Sequence, residues 1–494
     1  PGESLFLIHK GEVAELDADA LWGAVLSALA DLASAVGGLG RVRAIGACGQ
    51  YSSIVPVDDQ ARPLAPMRLY LDTRGTHHCH EVLSRHPEAF ETWLERHPVP
   101  PVGGGLALGH LLAFQHDQPE LHAATAAYLE PVDYVTARLT GRLTATQASM
   151  FAGQVVDNRT LGATEYDREL VTMAGVDPST LPLLVPGHEP VGRLRADLAA
   201  PTGMGEHVEV WPGITDSHAA ALATGADAGD RIGIAVGTTG VVLATTDRLA
   251  IDLDHEVLTM PGVRPGERLV WAENGLAGRA VEHVLEQFVH PDDVLGDHRT
   301  PAGDPFARFD AALAASRPGA GGVRFLPWLS GSMAPQADPT MRGGFVGVSL
   351  DSTRVDLVRA AAEGVAHNLR WMLEPVEAFT GRTASEIVLT GGAARSSGWS
   401  QLLADVLARP VRTLADPGHA GARAVATWVA QFVHGAAGHD ASASPDSADH
   451  EWPGLGSRVA ARHEPDPDDV GVHDAAHTEL RAAFDALRPL GLGA

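Results

Sequence analysis

The chain has 494 residues, 45 % of them hydrophobic, with a formal net charge of −26 at pH 7; at ~150 residues per domain it can bury more than one core. That acidity argues against a nucleic-acid or anionic-membrane partner, yet an anionic nucleotide still fits where local backbone dipoles outweigh a distant negative surface. Cys48 and Cys79 are the only cysteines, too few for a disulfide framework and suited to a reducing cytosol.

No apolar run of roughly 18 residues and no basic-flanked leader stands out, so the expected location is cytoplasmic and no membrane partner is expected. Lys10, in IHKGEV, is the only lysine. This excludes a Walker A loop, the strand lysine of a protein kinase and a Schiff-base lysine for PLP. Phosphate chemistry would have to use backbone N–H groups, Arg and a metal.

In chain order, Leu21–Ala35 carries apolar residues at helical spacing. VRAIGACGQ (Val42–Gln50) reads as a short strand entering a glycine turn, SIVPVDDQARP as strand and turn, and MRLYLDTRG as strand and loop. Helical patterns fill much of 76–123, and Ala127–Gly141 reads as strand, Pro at the first helical position, and helix. VEVWPGITDSHAAAL (Val208–Leu222) predicts a strand ending at Pro212-Gly213, then an Ala-rich helix with Asp216 at the bend. The polar TGADAGD marks a boundary near 225–230, and Arg231–Thr246 is two β-branched runs joined at Gly-Thr-Thr-Gly, a hairpin by composition. Helices dominate 354–377, and Glu386–Ala408 is strand, glycine turn and helix. Residues 436–467, rich in Ser, Ala, Asp, Pro and His, read as a mobile insertion before a terminal helix at 473–487. Short strands between helices predict an α/β protein with buried sheets. The divisions expected are 1–225, 226–435, the insertion 436–467, and a terminal helix within 468–494. IGACGQYSS and VLTGGAARSS echo each other across the two halves, the trace a duplicated fold would leave.

Several constellations carry chemistry. Gly237-Thr238-Thr239-Gly240 is a plain β-turn or an anion nest, because glycines admit a ligand to the backbone and consecutive N–H groups suit phosphate. Gly391-Gly392-Ala393, before a helix starting near Ser397, provides close strand–helix packing or room for a flat group or phosphate. Asp216 is a helix cap, a base, or both. Asp72 and Arg74 either bind a polyol or form a structural salt pair. His77-His78-Cys79-His80 has the look of a metal cluster, but zinc sites normally gather ligands from separated segments, and the local run alone does not make one.

Taken in order, GQYSS (49–53), LYLDTR (69–74), PGITD (212–216), VGTTG (236–240), FLPWLSG (325–331), GGFVGV (343–348), RAAAEGVAHNL (359–369) and LTGGAARSSGW (389–399) resemble the FGGY family of carbohydrate kinases, nearest its xylulokinase-like branch. The resemblance implies two RNase-H-like domains of actin and hexokinase type around a cleft. It implies transfer of the ATP γ-phosphate, with Mg²⁺, to a hydroxyl of a ketose or polyol, and it is compatible with a homodimer. By the same resemblance Asp216 is the general base and holds the metal through water. Gly237, Thr238 and Thr239 cradle phosphates; Gly391, Gly392 and Ala393 line the adenosine site, with Gly421-Ala422 a further nucleotide-side turn. Gln50, Tyr51, Ser52, Asp72, Arg74 and Ser217 face the sugar. The family's opening Asp-x-Gly-Thr hairpin has no counterpart before Leu21, so the chain, which opens on Pro1, is expected to begin after it. A catalytically idle sugar- or nucleotide-binding protein on the same fold is the alternative that this departure raises. Tyr51-Ser52 replaces the Met-His, Ser217 the Asn and Tyr70 the Trp usual in xylulokinases, and His110 and Ala113 replace a Lys and a Trp of the first family signature. These changes lie on or near the sugar side and leave the acceptor open.

Overall fold

The computed structural model describes residues 7–227, 231–290, 304–435 and 458–493. From the N-terminus come a hairpin of β1 (Leu7–Lys10) and β2 (Val13–Leu16), helix α1 (Ala18–Val36), and the short strands β3 (Ala44–Ile45) and β4 (Cys48–Gly49). Asp17 caps α1 by accepting the N–H groups of Asp19 and Ala20, and Gly37 ends it in the left-handed conformation. Contrary to expectation, α1 is long and apolar enough to cross a membrane. Here its Trp22 is buried, and Leu21, Val25, Leu26 and Leu29 pack on the same core. Arg138 lies over the Trp22 ring at 4.9 Å and pairs with Asp19.

β5 (Met67–Arg68) pairs with β2, and helices α2 (Thr76–Arg85), α3 (Ala107–Asp117) and α4 (Pro131–Thr140) follow, the last with Pro131 at its first position as predicted. β6 (Glu209–Val210) and β7 (Ile214–Thr215) return parallel to β3 and β4, with Val210 opposite Ile45 and Thr215 opposite Gly49. The strand expected to end at Pro212-Gly213 therefore resumes beyond it. Gly213 lies so close to Val132 of α4 that a Cβ would fall 2.4 Å from the Val132 Cβ; the chain bends there and recovers its partner when Ile214 N–H donates to Ala47 O. Helix α5 (Asp216–Thr224) springs directly from the resumed strand.

The second half is built on one eight-stranded sheet. Its strands are β8 (Ile232–Val236), β9 (Gly240–Thr246), β10 (Ile251–Asp252), β11 (Val257–Pro261), β12 (Arg268–Asn274), β13 (Ile387–Thr390), β14 (Val411–Leu414) and β15 (Val459–His463), in the order β10-β11-β12-β9-β8-β13-β14-β15. β8 and β9 form the predicted hairpin, and β8, β13 and β14 run parallel. Helices α6 (Gly278–Val284), α7 (Arg354–Thr380), α8 (Ser397–Leu407), α9 (Ala420–Gly435) and α10 (Pro467–Leu487) accompany it. The echoing segments are both strands of parallel pairs that open into turns, β3–β4 in one half and β13 in the other. A shared apolar cluster joins the halves: Ile214, Ala219 and Leu222 pack with Val388, Ala420, Val425 and Trp428.

The insertion needs correction at its far end. Residues 436–457 lie outside the described residues, but β15 pairs antiparallel with β14, and α10 begins at Pro467, not 473. Asp466 accepts the N–H of Asp468 and Pro467 takes the first position, a start signal that the Ser/Asp/Pro-rich composition before it hid.

α10 docks on α7 through Trp371 and Phe484, whose rings lie 5.3 Å apart, and through three imidazoles. His367 lies 5.5 Å from His473 and 5.9 Å from His477, centroid to centroid; the nitrogens of His367 and His473 have no hydrogen-bond partner among the described residues. His477 leans on Glu374 and Arg370 pairs with Asp474 beside them. Burial first, then the charges of Arg359, Arg324 and Arg370, hold His473 down to about 4. Burial and the neighbouring His473 and His477 hold His367 well below 6.5. Because the folded pKa is depressed, this stability is complete above pH 6.5. It is lost as the pH falls below 6.5, by about 1 kcal/mol per pH unit for each imidazole that stays neutral in the fold. The urea midpoint is therefore expected to drop between pH 7.5 and pH 5, and His473→Leu to make the drop shallower. Equal midpoints at both pH values in the unaltered chain would contradict this.

Candidate active site

Thr215, not Asp216, occupies the cap position of α5. Its hydroxyl lies 2.7 Å from His218 Nδ1, and His218 Nε2 lies 2.8 Å from Pro261 O at the end of β11. Burial keeps His218 neutral, with its pKa down to about 4; Nε2–H donates to the Pro261 carbonyl, which can only accept, and Nδ1 accepts the hydrogen bond of the Thr215 hydroxyl. This chain pins the start of α5 to the second half. Asp216 is left in the first turn, its Oδ1 accepting the Ser217 N–H at 2.7 Å. The side chain is reached by solvent, yet protein surrounds it on most sides, and the loss of water raises its pKa above the usual carboxylate range. Both facts describe a carboxylate partly enclosed by protein and open on one side.

The turn Gly237–Gly240 joins β8 to β9. Gly237 O accepts Gly278 N–H and Thr238 O accepts Ala277 N–H, both at 2.9 Å, so the start of α6 fixes the turn. Gly237 has no positive φ, and a Cβ there would meet nothing within 4 Å. Neither backbone conformation nor packing calls for glycine at this position; the space beside it is open. Gly391 differs: its φ is +85° and a Cβ would fall 2.4 Å from Val236 O. Ala235 and Thr390 are in register on the parallel strands β8 and β13, so both glycine turns leave neighbouring strand ends.

Several expectations on the nucleotide side change. Gly392 is exposed, but Ala393 is buried in the core. The start of α8 is filled by protein, because Asp310 Oδ1 accepts the Gly398 N–H at 3.0 Å and the Ser396 hydroxyl; a phosphate has no room against those groups. Gly421 lies on α9 against Ala219 of α5, with Cys48 Sγ beyond. It is a helix-contact position between the halves, with Ala422 exposed beside it.

Gln50 and Asp216 directly follow the paired residues Gly49 and Thr215, which puts them at one level. Gln50 Nε2 donates to Ser53 Oγ at 3.3 Å. Ser52 holds φ +60°, a strained conformation for a non-glycine, and donates to Gly105 O at 3.0 Å. The Tyr51 hydroxyl is buried, and Ser217 is half-buried. Asp72 and Arg74 form the structural pair: Asp72 is fully buried, accepts Ala14 N–H at 3.0 Å and takes Arg74 Nε on both oxygens, while Arg74 also reaches Glu15. The Asp72 carboxylate is thus occupied by protein.

Two carboxyl groups escaped the sequence reading. Glu273, the one acid in the strand LVWAEN, lies on β12 opposite Val241 of β9, two residues past Thr239 of the glycine turn. Burial raises its pKa to about 7, and the charge of Asp216 adds to the rise. Tyr70 is raised by burial, then by the charges of Glu273 and Asp216. The signal was a lone acid in an apolar alternation. Glu130, fully buried, accepts Ser53 N–H at 3.0 Å, and burial pushes its pKa well up, with Asp133 and Asp216 adding to it. A separate cavity of about 130 Å³, lined by Gln147, Thr215, His218 and Arg264 among others, lies behind α5, and Asp216 does not line it.

Residues 6–223 match the N-terminal domain, and residues 233–430 the C-terminal domain, of the FGGY family of carbohydrate kinases. The chain is 24 % identical over 365 residues to a xylulose kinase of Staphylococcus xylosus, covering 74 % of this chain and 72 % of that protein. It is 24 % identical over 380 residues to a gluconokinase of Bacillus subtilis (strain 168), covering 74 % and 70 %. Among solved structures, a gluconate kinase from Lactobacillus acidophilus superposes with a TM-score of 0.81 at 19 % identity, over 98 % of this chain and 92 % of that one.

Proposed function

Since the chain belongs to the FGGY family of carbohydrate kinases and is an ATP-dependent sugar kinase of the two-domain actin and hexokinase fold, we propose that Asp216 is its general base and that the acceptor is an uncharged ketose or polyol. In this reading Asp216 takes the proton of the acceptor hydroxyl as that oxygen bonds to the γ-phosphorus. The bond to the β-phosphate oxygen breaks, leaving ADP and a sugar phosphate. A pKa raised by burial makes Asp216 a stronger base than a free carboxylate. The single observation that supports this most is the placement of Asp216 at the start of α5, directly after the paired strands β7 and β4 and level with Gln50.

Thr238 and Thr239 would present the turn to the phosphates, with Gly237 leaving the space they need, and Glu273 would orient the Thr239 side chain. Gly392 would border the nucleoside; Gln50 would meet the acceptor. The two carboxylates in the cleft suit Mg²⁺, Asp216 through a water; bound there, the ion supplies neutralisation of phosphate charge. A cytoplasmic location fits this chemistry.

The choice of an uncharged acceptor rests on charge. Arg74, the cation of the sugar-side segment LYLDTR, is already held by Asp72 and Glu15, while Asp216 and, in part, Glu273 put negative charge on the acceptor's side. An aldonate carboxylate would meet repulsion there. In a coupled ADP assay over ketopentoses, ketohexoses, polyols and gluconate, ADP is expected only with an acceptor. The best neutral sugar should exceed gluconate by about tenfold or more in kcat/KM. A preference for gluconate would overturn the substrate assignment.

A further inference from the structure

The histidine run at the start of α2 acquires, in the fold, the remote ligand that the sequence lacked. We propose that His77, His78 and Asp117 bind one divalent transition-metal ion of the Zn²⁺ class, outside the catalytic cleft. One ligand atom of each lies within 4.8 Å of the others. Asp117 comes from the last residue of α3, so the ligands are drawn from two helices. His78 Nε2 lies 3.0 Å from Asp117 Oδ1; two ligands about 2.1 Å from one ion stand roughly 3.0–3.4 Å apart, so little movement admits the ion.

The tautomer of His77 is also set for ligation. Its Nδ1 lies 3.1 Å from Arg74 O, and a carbonyl can only accept. The proton is therefore on Nδ1 and the Nε2 lone pair is free, the outer hydrogen bond that metal-bound histidines typically have. The His77 and His78 rings lie 3.7 Å apart, with His116 5.0 Å from His78. His78 is buried and therefore fixed, while His77 and Asp117 are exposed, which leaves an entry path and an open coordination position. His80 turns away to Val102 O and Cys79 is buried, so neither joins the set. Two imidazoles and one carboxylate favour Zn²⁺, Co²⁺ or Ni²⁺ over Mg²⁺ or Ca²⁺.

Titration of the full chain with zinc chloride, followed calorimetrically, is expected to show one site. Asp117→Asn and His77→Ala should each weaken it at least about tenfold, without altering kinase activity measured in metal-chelated buffer restored with Mg²⁺. Co²⁺ should give the visible absorption of a low-symmetry site in the unaltered chain and lose it in both variants. Zinc affinity unchanged in both variants, or no Co²⁺ absorption difference between them and the unaltered chain, would overturn the assignment. Because Asp117 and His77 are exposed, equal melting temperatures without metal will separate lost ligation from lost folding.

Discussion

Asp216→Asn is expected to lower kcat by about 10²–10⁴-fold while nucleotide affinity stays unchanged. The substitution keeps the size of the side chain and the acceptor atom for Ser217 N–H, so α5 still starts at the same place. What is lost is the capacity to hold a proton during transfer. Removing the negative charge also relieves Glu273, whose pKa Asp216 raises. The variant should therefore show a lower Glu273 pKa, readable by carboxyl-sensitive infrared difference spectroscopy. Near-full turnover in this variant would remove Asp216 from the role assigned to it.

Gly237→Val is expected to reduce kcat/KM for ATP by about 10²-fold and leave the melting temperature where it was. The residue has no positive φ and open space on the side where a Cβ would project, so the folded chain accepts the branched side chain. The cost falls on whatever must approach the turn. Gly391→Ala gives the contrasting result, since its φ of +85° and the Val236 carbonyl at 2.4 Å both oppose a Cβ. A destabilisation of about 2–4 kcal/mol follows from strain plus overpacking. If Gly237→Val instead melted early and bound ATP normally, the turn would be structural only.

Much of this architecture is legible locally. The β-branched runs around Gly-Thr-Thr-Gly give the hairpin, and Pro131 after an apolar triplet gives the start of α4. The eight ordered motifs point to the family before any coordinates. What escaped was decided by distant partners. β7 is a two-residue strand that exists because Cys48 and Gly49 lie beside it, and nothing within 212–216 announces them. Asp72 looks free until Ala14 and Glu15, far back in the chain, close on it and on Arg74. Gly392 and Ala393 are adjacent in sequence, yet the tight helical turn from Gly392 to Arg395 sends one to solvent and the other inward. Glu273 gained meaning only when β9 and β12 paired and brought it to Thr239.

The measurement that bears most directly on the account is a crystal structure of the chain with a non-hydrolysable ATP analogue and its best ketose acceptor. The acceptor hydroxyl should lie ~3 Å from an Asp216 carboxylate oxygen, with the phosphates against Thr238 and Thr239 on its far side. An acceptor bound out of reach of Asp216, or phosphates seated away from the Gly237–Gly240 turn, would contradict it.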